Sequence, residues 1–325
     1  MTGLAPKIAK TALVLSFLPS WIAERIIRQS LSLEKELDII MGLLVPELEK
    51  MQQIDGYNQQ SDPSFISMVL SIPPKSNGES HTPEEIAIAF TKVALGSIDT
   101  TRDIIIFILY ELAYNPALVQ ELRTEIKKLD QRTPETINDI QLLDSILREM
   151  LRCKAISLTL LHKTTQDVAL PSLLSSSSSS SSSYEKIIPH DNLVIGAIND
   201  AHADPTFMTE TPSSHKKNSN DGIGSAYTPL PLNQFDAHRY IHTTDNENRW
   251  KSTSIGPELL TFGLSAHACP GRYFAAFQVK YIVAEMIMLY NISPTIDPDK
   301  RPKDRQFLGL TRTPPDIPLI FESLC

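Results

Sequence analysis

The amino-acid sequence predicts a mainly α-helical fold with a minor β part. Apolar residues recur at helical spacing along most of the chain up to residue 152, whereas short β-type runs begin only after residue 158. One more strong helical pattern follows residue 270, and the tail after it is rich in proline. The chain contains no internal repeat, and we expect a single domain over residues 1–325.

The composition is that of a globular protein without affinity for nucleic acid. The chain has 325 residues, of which 42% are hydrophobic and 21% charged, so it can bury one large core or two modest ones. Its formal net charge is -8 at pH 7, which provides no long-range positive field to attract nucleic acid or acidic lipid. The sequence therefore predicts no nucleic-acid partner.

The cysteine pattern and the early apolar stretch indicate the redox environment of the protein and whether it spans a membrane. Cys153, Cys269 and Cys325 are an odd, widely spaced set, which predicts no disulfide framework and favours a reducing, intracellular setting. The most apolar early stretch, Thr11–Leu18, is well short of the ~20 residues that a membrane-spanning helix needs. We expect no transmembrane segment, and at most peripheral membrane contact through the amphipathic helical pattern of residues 20–53.

A long helix is predicted to begin at residue 83. Thr82 can cap it, Pro83 suits the first helical position, and Glu85 completes a capping box. Its apolar pattern continues to the pair Asn115-Pro116, which would end it. With roughly 30 residues, such a helix has a length on the order of 45 Å and can cross a whole domain.

The remaining elements are shorter. Two helices should follow the long one, the second of them capped by Asn138. Three β-type runs come next, interrupted by a tract of nine serines that indicates a flexible loop, and a second polar insertion follows them. The expected bounds are Pro116–Leu129 and Asn138–Arg152 for the helices, Leu158–Leu161, Val168–Leu170 and Leu193–Ile198 for the strands, 175–183 and 210–230 for the insertions, and about Pro270–Tyr290 for the last helix.

The most informative stretch is the loop at residues 262–272, where Cys269 lies among small residues at the start of a helix. A thiolate there would be stabilised by the first amides of the helix and by the positive end of the helix dipole. Gly263 and Gly271 would let the backbone approach a flat cofactor closely. Cys269 is therefore a candidate soft metal ligand, although an isolated cysteine is more often a small buried hydrophobe.

Small polar residues interrupt the long helix around residues 96–101. On a 3.6-residue period they share one face with apolar side chains, so that an apolar stripe contains a gap that can accept a ligand. The alternative is that the serine and threonine hydroxyls bond back to carbonyls of the same helix. The residues on this face are Phe90, Val93, Ser97, Thr100 and Ile104.

Two charged residues mark the helix before the first β-type run. Glu149 and Arg152 lie three residues apart and so share a face of that helix. By itself this spacing indicates a surface ion pair of small energetic value. The pair indicates a functional role only if other motifs accompany it in the sequence.

The histidines give no sign of a zinc site. The eight of them are scattered, and neither His-x-x-x-His nor Cys-x-x-Cys spacing occurs. Gly-x-Ser-x-Gly and phosphate-binding loops are also absent from the sequence.

These motifs occur together in the order typical of one protein family. The loop around Cys269, the polar interruption of the long helix and the Glu149-x-x-Arg152 pair resemble motifs of the cytochrome P-450 family. A His-x-Asp-Pro stretch that begins at His202 resembles a further family segment. The loop match is carried by Phe262, Gly263, His267, Cys269, Pro270, Gly271 and Arg272, whereas Ser265 and Ala266 depart from the residues usual in the family.

The resemblance implies a heme site and assigns residues to it. The cofactor would be heme b, iron protoporphyrin IX, with Cys269 as the thiolate ligand of the iron. His267 would contact a heme propionate, in preference to His162 or Lys163. Further cofactor-binding residues would be Phe262 and Arg272 in the loop, and Glu149, Arg152 and Arg239 in a buried network behind the heme.

The resemblance also gives the long helix a catalytic part. Asp99 and Thr100 would relay protons during oxygen activation, and Ser97 stands where the family usually has glycine. The apolar residues of the same face, Phe90, Val93 and Ile104, would help to line the substrate pocket.

The implied function is that of a heme-thiolate monooxygenase. Such an enzyme would hydroxylate or epoxidise a lipophilic secondary metabolite, such as a terpenoid or an indole-diterpene, with O2 and with electrons from an NADPH-dependent reductase. The loop around Cys269 and the long helix look closest to fungal members. The alternative is a degenerate, non-catalytic fragment of such an enzyme that acts at most as an interaction protein.

The resemblance covers roughly residues 10–325 and corresponds to the C-terminal portion of a full family member. We therefore expect a partial cytochrome P-450 fold, with a long central helix, a Glu-x-x-Arg helix, a cysteine-ligand loop and small β sheets. The N-terminal anchor and the first third of the family would be lacking. Family members are usually anchored to the endoplasmic reticulum membrane, and that location is inherited from the resemblance alone.

Overall fold

The computed structural model describes most of the chain, in segments. Four sequence predictions lie wholly or partly outside the described residues, namely the apolar stretch Thr11–Leu18, residues 20–32 of the amphipathic pattern, the Ser-rich loop 175–183 and residues 210–228 of the second insertion. The chain divides into two compact units, Met1–Thr100 and Thr101–Cys325, and each has a hydrophobic cluster of its own. The described residues are 33–53, 75, 78–170, 186–206, 229–241, 250–301, 303–307 and 311–324.

The first unit contains helix α1 (Leu33–Gln53) and the first part of helix α2 (Pro83–Ala113). The predicted capping box at the start of α2 is confirmed, because the amide of Thr82 donates to Glu85 Oε2 at 3.0 Å and the amide of Glu85 donates to Thr82 Oγ1 at 3.3 Å. A small apolar cluster joins the two helices. It consists of buried Leu48, Ile86 and Ala87 with partly buried Met41, Leu44 and Val45.

Helix α2 has 31 residues, close to the length that its apolar pattern predicts, and it ends at Ala113. Asn115 then caps helix α3 (Pro116–Lys127), with its Oδ1 accepting from the amide of Leu118 at 3.2 Å. Because a proline has no amide hydrogen to continue a helix, the chain breaks at this point as predicted.

The prediction that Asn138 caps the next helix is wrong. Asn138 is the last residue of a short helix, α4 (Pro134–Asn138), and helix α5 (Gln141–Cys153) begins three residues later. Ile140 occupies the N-cap position of α5 and makes no side-chain capping bond. The reason is tertiary: residues 145–152 of α5 are all buried, so packing outweighs the missing cap.

The β part of the described residues consists of two-stranded antiparallel sheets. The predicted β region forms two of them and is followed by a short helix, α6 (Ile198–Ala203). The C-terminal tail forms two more. The pairs are β1 (Thr159–Lys163) with β4 (Leu193–Ala197), β2 (Val168–Leu170) with β3 (Lys186–Ile188), β5 (Tyr290–Pro294) with β8 (Leu319–Ser323), and β6 (Arg305–Phe307) with β7 (Thr311–Thr313).

The large core of the second unit lies around α5. Its buried side chains come from the C-terminal part of α2, from α3 and α5, and from helix α7 (Arg272–Leu289). The Glu-x-x-Arg pair of α5 therefore lies in an interior, where its surroundings are set by packing and not by water. Fully buried residues of this core include Phe107, Leu122, Ile146 and Val283.

Membrane-spanning segments were not expected from the sequence. None of the helices in the described part of the chain combines the length and the apolar character that crossing a bilayer requires.

Candidate functional site

The loop before α7, residues 260–271, is called the cysteine loop below. The amide of Cys269 donates to the carbonyl of Phe262 at 2.7 Å, and the amide of Gly263 donates to the carbonyl of Leu260 at 2.8 Å. One turn of 3-10 helix, Ser265–His267, forms the middle of the loop. Cys269 is half-buried and is not in a disulfide. Its backbone is thus held where the loop closes.

Two glycines shape the space around this thiol. Gly263 has φ = +74°, and a Cβ there would lie 3.0 Å from the carbonyl oxygen of His267, so only glycine fits where the two sides of the loop meet. A Cβ at Gly271 would come within 4 Å of one group only, the sulfur of Cys269 at 4.0 Å. Glycine at this position keeps the space beside the sulfur open, which suits the close approach of a flat cofactor.

The departure from the family at Ser265 leaves a glycine-type turn in place. Ser265 has φ = +51°, in the left-handed region that a side chain disfavours by about 1 kcal/mol. Ser265 and Ala266 are both exposed, so their side chains do not crowd the loop interior. Ser265 therefore adds backbone strain to the turn but keeps the left-handed conformation that a glycine would adopt there.

Arg272 and Phe262, both predicted to bind the cofactor, support the loop. Arg272 Nε donates to the carbonyl of Thr253 at 3.2 Å, and its Nη1 donates to the carbonyl of Cys269 at 3.0 Å. Phe262 packs against the large core of the second unit. The structure thus gives both residues a role in holding Cys269, while their contact with a cofactor stays a prediction.

Two of the candidate propionate ligands come together in space. The ring centroids of His162 on β1 and His267 in the cysteine loop lie 5.9 Å apart, with an angle of 65° between the rings. Both side chains are exposed. Lys163, by contrast, pairs with Asp191, with 2.5 Å between Nζ and Oδ1. The structure therefore favours His162 over Lys163 as the companion of His267.

Glu149, Arg152 and Arg239 form a network in the interior of the second unit. Glu149 accepts two bonds from Arg152, with Oε2 to Nε at 2.8 Å and Oε1 to Nη2 at 2.7 Å. Its Oε1 also accepts from Arg239 Nε at 3.0 Å and from the amide of Asp236 at 3.1 Å. None of the three charged side chains is more than 2% exposed. The alternative of a surface ion pair is therefore wrong.

Carbonyl groups accept from further donors of this network. Arg152 Nη1 donates to the carbonyls of His202 at 2.9 Å and Leu232 at 2.8 Å, and Arg239 Nη2 donates to that of Leu230 at 2.9 Å. Burial opposes the charge of Arg152, but the hydrogen bonds to Glu149 and the electrostatic attraction of Cys153, Glu149 and Tyr240 together outweigh it and raise the pKa of this guanidinium. The charged network thus fastens the segment 230–239 to α5.

Cys153, the last residue of α5, lies beside the network. Its sulfur is 3.0 Å from Arg152 Nη2 and 3.6 Å from Glu149 Oε1. Burial, together with the negative charge of Glu149, raises the pKa of Cys153 to about 12. Because a metal ligand must be a thiolate, Cys269 is the better candidate of the two described cysteines.

The predicted proton-relay residues lie in the part of α2 that belongs to the first unit. Thr100 Oγ1 donates to the carbonyl of Gly96 at 2.8 Å, and Ser97 Oγ donates to that of Ala94 at 3.0 Å. Both hydroxyls therefore make the back-bonds that the sequence left open as an alternative. Asp99 is half-buried on the same helix. A ligand gap at this place stays a prediction.

The apolar residues expected to line a pocket differ in burial. Val93 is exposed and Phe90 is half-buried, whereas Ile104 is buried in the large core of the second unit. Ile104 therefore contributes to packing.

The groups around Cys269 fit a heme. The loop offers the sulfur of half-buried Cys269, an uncrowded space beside Gly271 and a pair of imidazoles that includes His267. In the described segments, no cluster of three or more His, Cys, Asp or Glu side chains could hold a bare metal ion. An iron whose other ligands come from a macrocycle needs only one protein sulfur on this side.

Comparison with known proteins identifies the family. The sequence model of the cytochrome P-450 family matches residues 7–177, slightly more than half of the chain, a range that includes α2 and the Glu149-x-x-Arg152 pair. The chain therefore belongs to the cytochrome P-450 family, as its motifs indicated. Cys269 lies beyond the matched range, so its assignment depends on the loop itself.

The curated relatives are fungal proteins named as monooxygenases. Cytochrome P-450 monooxygenase ntnM from Nectria sp is 25% identical over 273 residues, which are 82% of this chain and 46% of the relative. Cytochrome P-450 monooxygenase gliF from Aspergillus fumigatus is 24% identical over 302 residues, which are 88% and 54%. The chain thus spans about half the length of the curated relatives that it matches.

Solved structures show the same fold. A cytochrome P-450 named CYP102L1 superposes with a TM-score of 0.64 at 16% identity, over 89% of this chain and 56% of the other. The cyanobacterial CYP120A1 bound to retinoic acid superposes with a TM-score of 0.57 at 20% identity, over 87% and 56%. The predicted partial cytochrome P-450 fold is therefore confirmed, and the family and the fold together make heme b the cofactor.

Proposed function

We propose that this chain is the heme-binding part of a monooxygenase and that Cys269 is the ligand of the iron. The observation that carries the proposal is the closed cysteine loop, in which half-buried Cys269 has its sulfur next to Gly271, where no side chain fills the space. Bound heme supplies the oxygen-activating chemistry, which a thiolate ligand favours. The relatives named as monooxygenases support the reaction class.

The contribution of the protein is to hold the sulfur of Cys269 in one place, in surroundings that favour a negative charge. Its amide is bonded to Phe262, so the backbone fixes the position of the sulfur. The guanidinium of Arg272 binds its carbonyl at 3.0 Å and places a positive charge beside it. Helix α7 begins at Arg272, so the amides and the dipole of its first turn add to the stabilisation of a negative charge.

The histidine pair would bind the carboxylates of the cofactor. His162 and His267 can donate imidazole N–H groups to a propionate, and protonation would add a charge interaction. Glu149, Arg152 and Arg239 would act from within the fold, by holding residues 230–239 against α5. Substitution of either histidine should weaken heme retention, which gel filtration of the loaded protein would measure.

We assign proton transfer to Asp99 and Thr100. A carboxylate can take up and release a proton, and a hydroxyl that donates to Gly96 keeps its lone pairs as acceptors. Asp99→Asn and Thr100→Val should each lower product formation by about 100-fold while the heme spectrum stays that of the wild type. An unchanged rate of product formation would remove this assignment.

The substrate would be a lipophilic secondary metabolite, such as a terpenoid or an indole-diterpene. It would be hydroxylated or epoxidised with O2 and with electrons from an NADPH-dependent reductase. The fungal relatives support this class of reaction, and the exposed apolar side chain of Val93 on α2 supports an apolar ligand. Titration of the heme-loaded chain with terpenoids, indole-diterpenes and polar analogues tests it, because only a bound ligand shifts the Soret band.

The absorption spectrum of the reduced, carbon-monoxide-bound chain tests the heme assignment. A heme held by cysteine thiolate gives a strongly red-shifted Soret band, which Cys269→Ser should abolish. Cys153→Ser is the matched control and should keep the band, because its hydroxyl can replace the buried thiol as a donor to Glu149. Absence of the band from the wild type would overturn the proposal and leave the non-catalytic interaction protein.

A further inference from the structure

The C-terminal end of α5 exposes carbonyl groups that have no partner within the helix, as every helix end does. Side chains from other segments bind three of these carbonyls. Two of the side chains, His202 in α6 and Thr261 in the cysteine loop, connect the helix to the segment that carries Cys269. Thr261 Oγ1 donates to Leu151 at 2.7 Å, His202 Nδ1 binds Arg152 at 3.0 Å, and Arg312 Nη1 donates to Cys153 at 2.6 Å.

His202 uses both of its ring nitrogens. Nδ1 lies 3.0 Å from the carbonyl oxygen of Arg152, and Nε2 lies 2.8 Å from the amide nitrogen of Leu260. Because the amide of Leu260 is a donor, Nε2 must accept, and the proton of the neutral ring must then lie on Nδ1. The side chain is only 1% exposed, so water cannot replace either bond.

If Nε2 carried a proton, its N–H group would face the amide N–H of Leu260, and the hydrogen bond between them would be lost. Burial, opposed in part by the bond to the Arg152 carbonyl, lowers the pKa of His202 to about 4. The charged groups around the ring act in the same direction as burial, since Arg148 and Arg152 of α5 and Arg312 of β7 all repel a positive imidazolium. The imidazole therefore stays neutral and keeps the geometry of a bridge.

The bridge ends at the base of the cysteine loop. Leu260, whose amide His202 binds, also accepts from the amide of Gly263 through its carbonyl, at 2.8 Å. Two residues further on, Phe262 accepts from the amide of Cys269 at 2.7 Å. Backbone bonds thus connect the imidazole to the residue that bears the sulfur without passing through a flexible side chain.

We propose that His202 is a positioning residue for Cys269, because it locks the base of the cysteine loop to the end of the Glu-x-x-Arg helix. Loss of this bridge would remove one of two described side-chain bonds between α5 and the start of the loop, the other being the bond from Thr261 to the carbonyl of Leu151. The sulfur would then sample several positions. The inference rests on the proposed function only in taking Cys269 as the iron ligand.

Three variants separate the bridge from the bulk of the side chain. His202→Leu removes the donor and the acceptor but keeps an apolar side chain in the buried site. His202→Gln keeps both hydrogen-bonding groups on one planar amide. His190→Leu is the matched control, since His190 is an exposed histidine in the turn between β3 and β4.

Two measurements use the cofactor-free protein. His202→Leu removes the bond from the amide of Leu260 to Nε2, and this loss should speed hydrogen exchange of residues 260–269 about tenfold, while exchange in α7 stays unchanged. Alkylation of Cys269 by iodoacetamide, followed by peptide mass spectrometry, should rise by about the same factor. His202→Gln should return to within about threefold of the wild type, and the His190 control should equal it.

The absorption spectrum of the reduced, carbon-monoxide-bound protein then tests the positioning of Cys269 when heme is bound. His202→Leu should convert part of the red-shifted Soret band to an unshifted one, and His202→Gln should restore it. If the wild type lacks the red-shifted band, the proposed function fails, whereas the exchange and alkylation results still decide the positioning role. Exchange and alkylation rates in His202→Leu equal to those of the wild type would overturn that role.

A second variant keeps the test decisive if far-UV circular dichroism shows that His202→Leu does not fold. Thr261→Val removes the other tie to α5 and should speed exchange of the same residues by a similar factor. The double variant with Thr261→Val and His202→Gln should speed hydrogen exchange of residues 260–269 more than either substitution alone. A change in α7 equal to that in the loop would instead show general unfolding and contradict the proposal.

Discussion

Glu149→Gln is the substitution whose outcome the structure defines most closely. The carboxylate accepts two bonds from Arg152, at 2.8 and 2.7 Å, one from Arg239 at 3.0 Å and one from the amide of Asp236 at 3.1 Å. An amide can accept on one side only, and its NH2 group would face a guanidinium donor on the other. It would also leave two buried guanidiniums without the charge between them.

The expected loss of stability is large. Removal of one partner from a buried ion pair costs about 3–5 kcal/mol, because the remaining charge stays buried. Here the carboxylate is fully buried and serves two cations, so the upper part of this range is expected. Urea unfolding followed by far-UV circular dichroism measures the free energy of unfolding, with the wild type as reference.

Glu121→Gln is the matched control. Glu121 also contacts a side chain with an N–H group, the imidazole of His238, at 2.9 Å, but both side chains are substantially exposed. Water screens this pair, so its loss should change the free energy of unfolding by less than about 0.5 kcal/mol. If Glu149→Gln destabilised the protein no more than Glu121→Gln, the argument that burial gives the network its strength would be refuted.

Three further outcomes follow from particular geometries. Gly263→Ala should lower the free energy of unfolding by about 1–3 kcal/mol in the same urea assay, because alanine is disfavoured at φ = +74°. Cys153 should resist alkylation at pH 8 in the native protein and react after unfolding, since its pKa is raised to about 12; mass spectrometry of the labelled peptide checks this. The free energy of unfolding should fall by up to about 3 kcal/mol as the pH drops from about 6.5 to 4. In this range His202 binds a proton in the unfolded chain but not in the folded protein, where its pKa is about 4. His202→Gln should flatten this part of the pH profile, and an unchanged profile would contradict the assignment.

The ends of the helices show where the local sequence predicts the structure correctly and where it does not. The capping box at Thr82 and Glu85 involves residues three apart, and the structure contains both of its bonds. The cap predicted at Asn138 failed, although asparagine is a good capping residue. The difference is that α5 is buried along most of its length, so its start is decided by how its apolar side chains pack.

The role of His202 had a partial signal in the sequence. The stretch that begins at this residue resembles a family segment, but the resemblance assigns no bonding partner to the imidazole. Its partners are Arg152, 50 residues earlier, and Leu260, 58 residues later. Neither contact follows from a helical or strand period, because both depend on how α6 packs between α5 and the cysteine loop.

The sequence by itself indicated the nature of the site. Cys269, its flanking glycines and the helix that begins at Arg272 lie within a few residues of each other, so local backbone preferences favour the turns of the loop. Only the tertiary structure decided that Glu149 and Arg239 meet in an interior and that His162 meets His267. These contacts join residues 90 to 105 positions apart, and their energy depends on burial and dielectric surroundings, which exist only once the chain has packed.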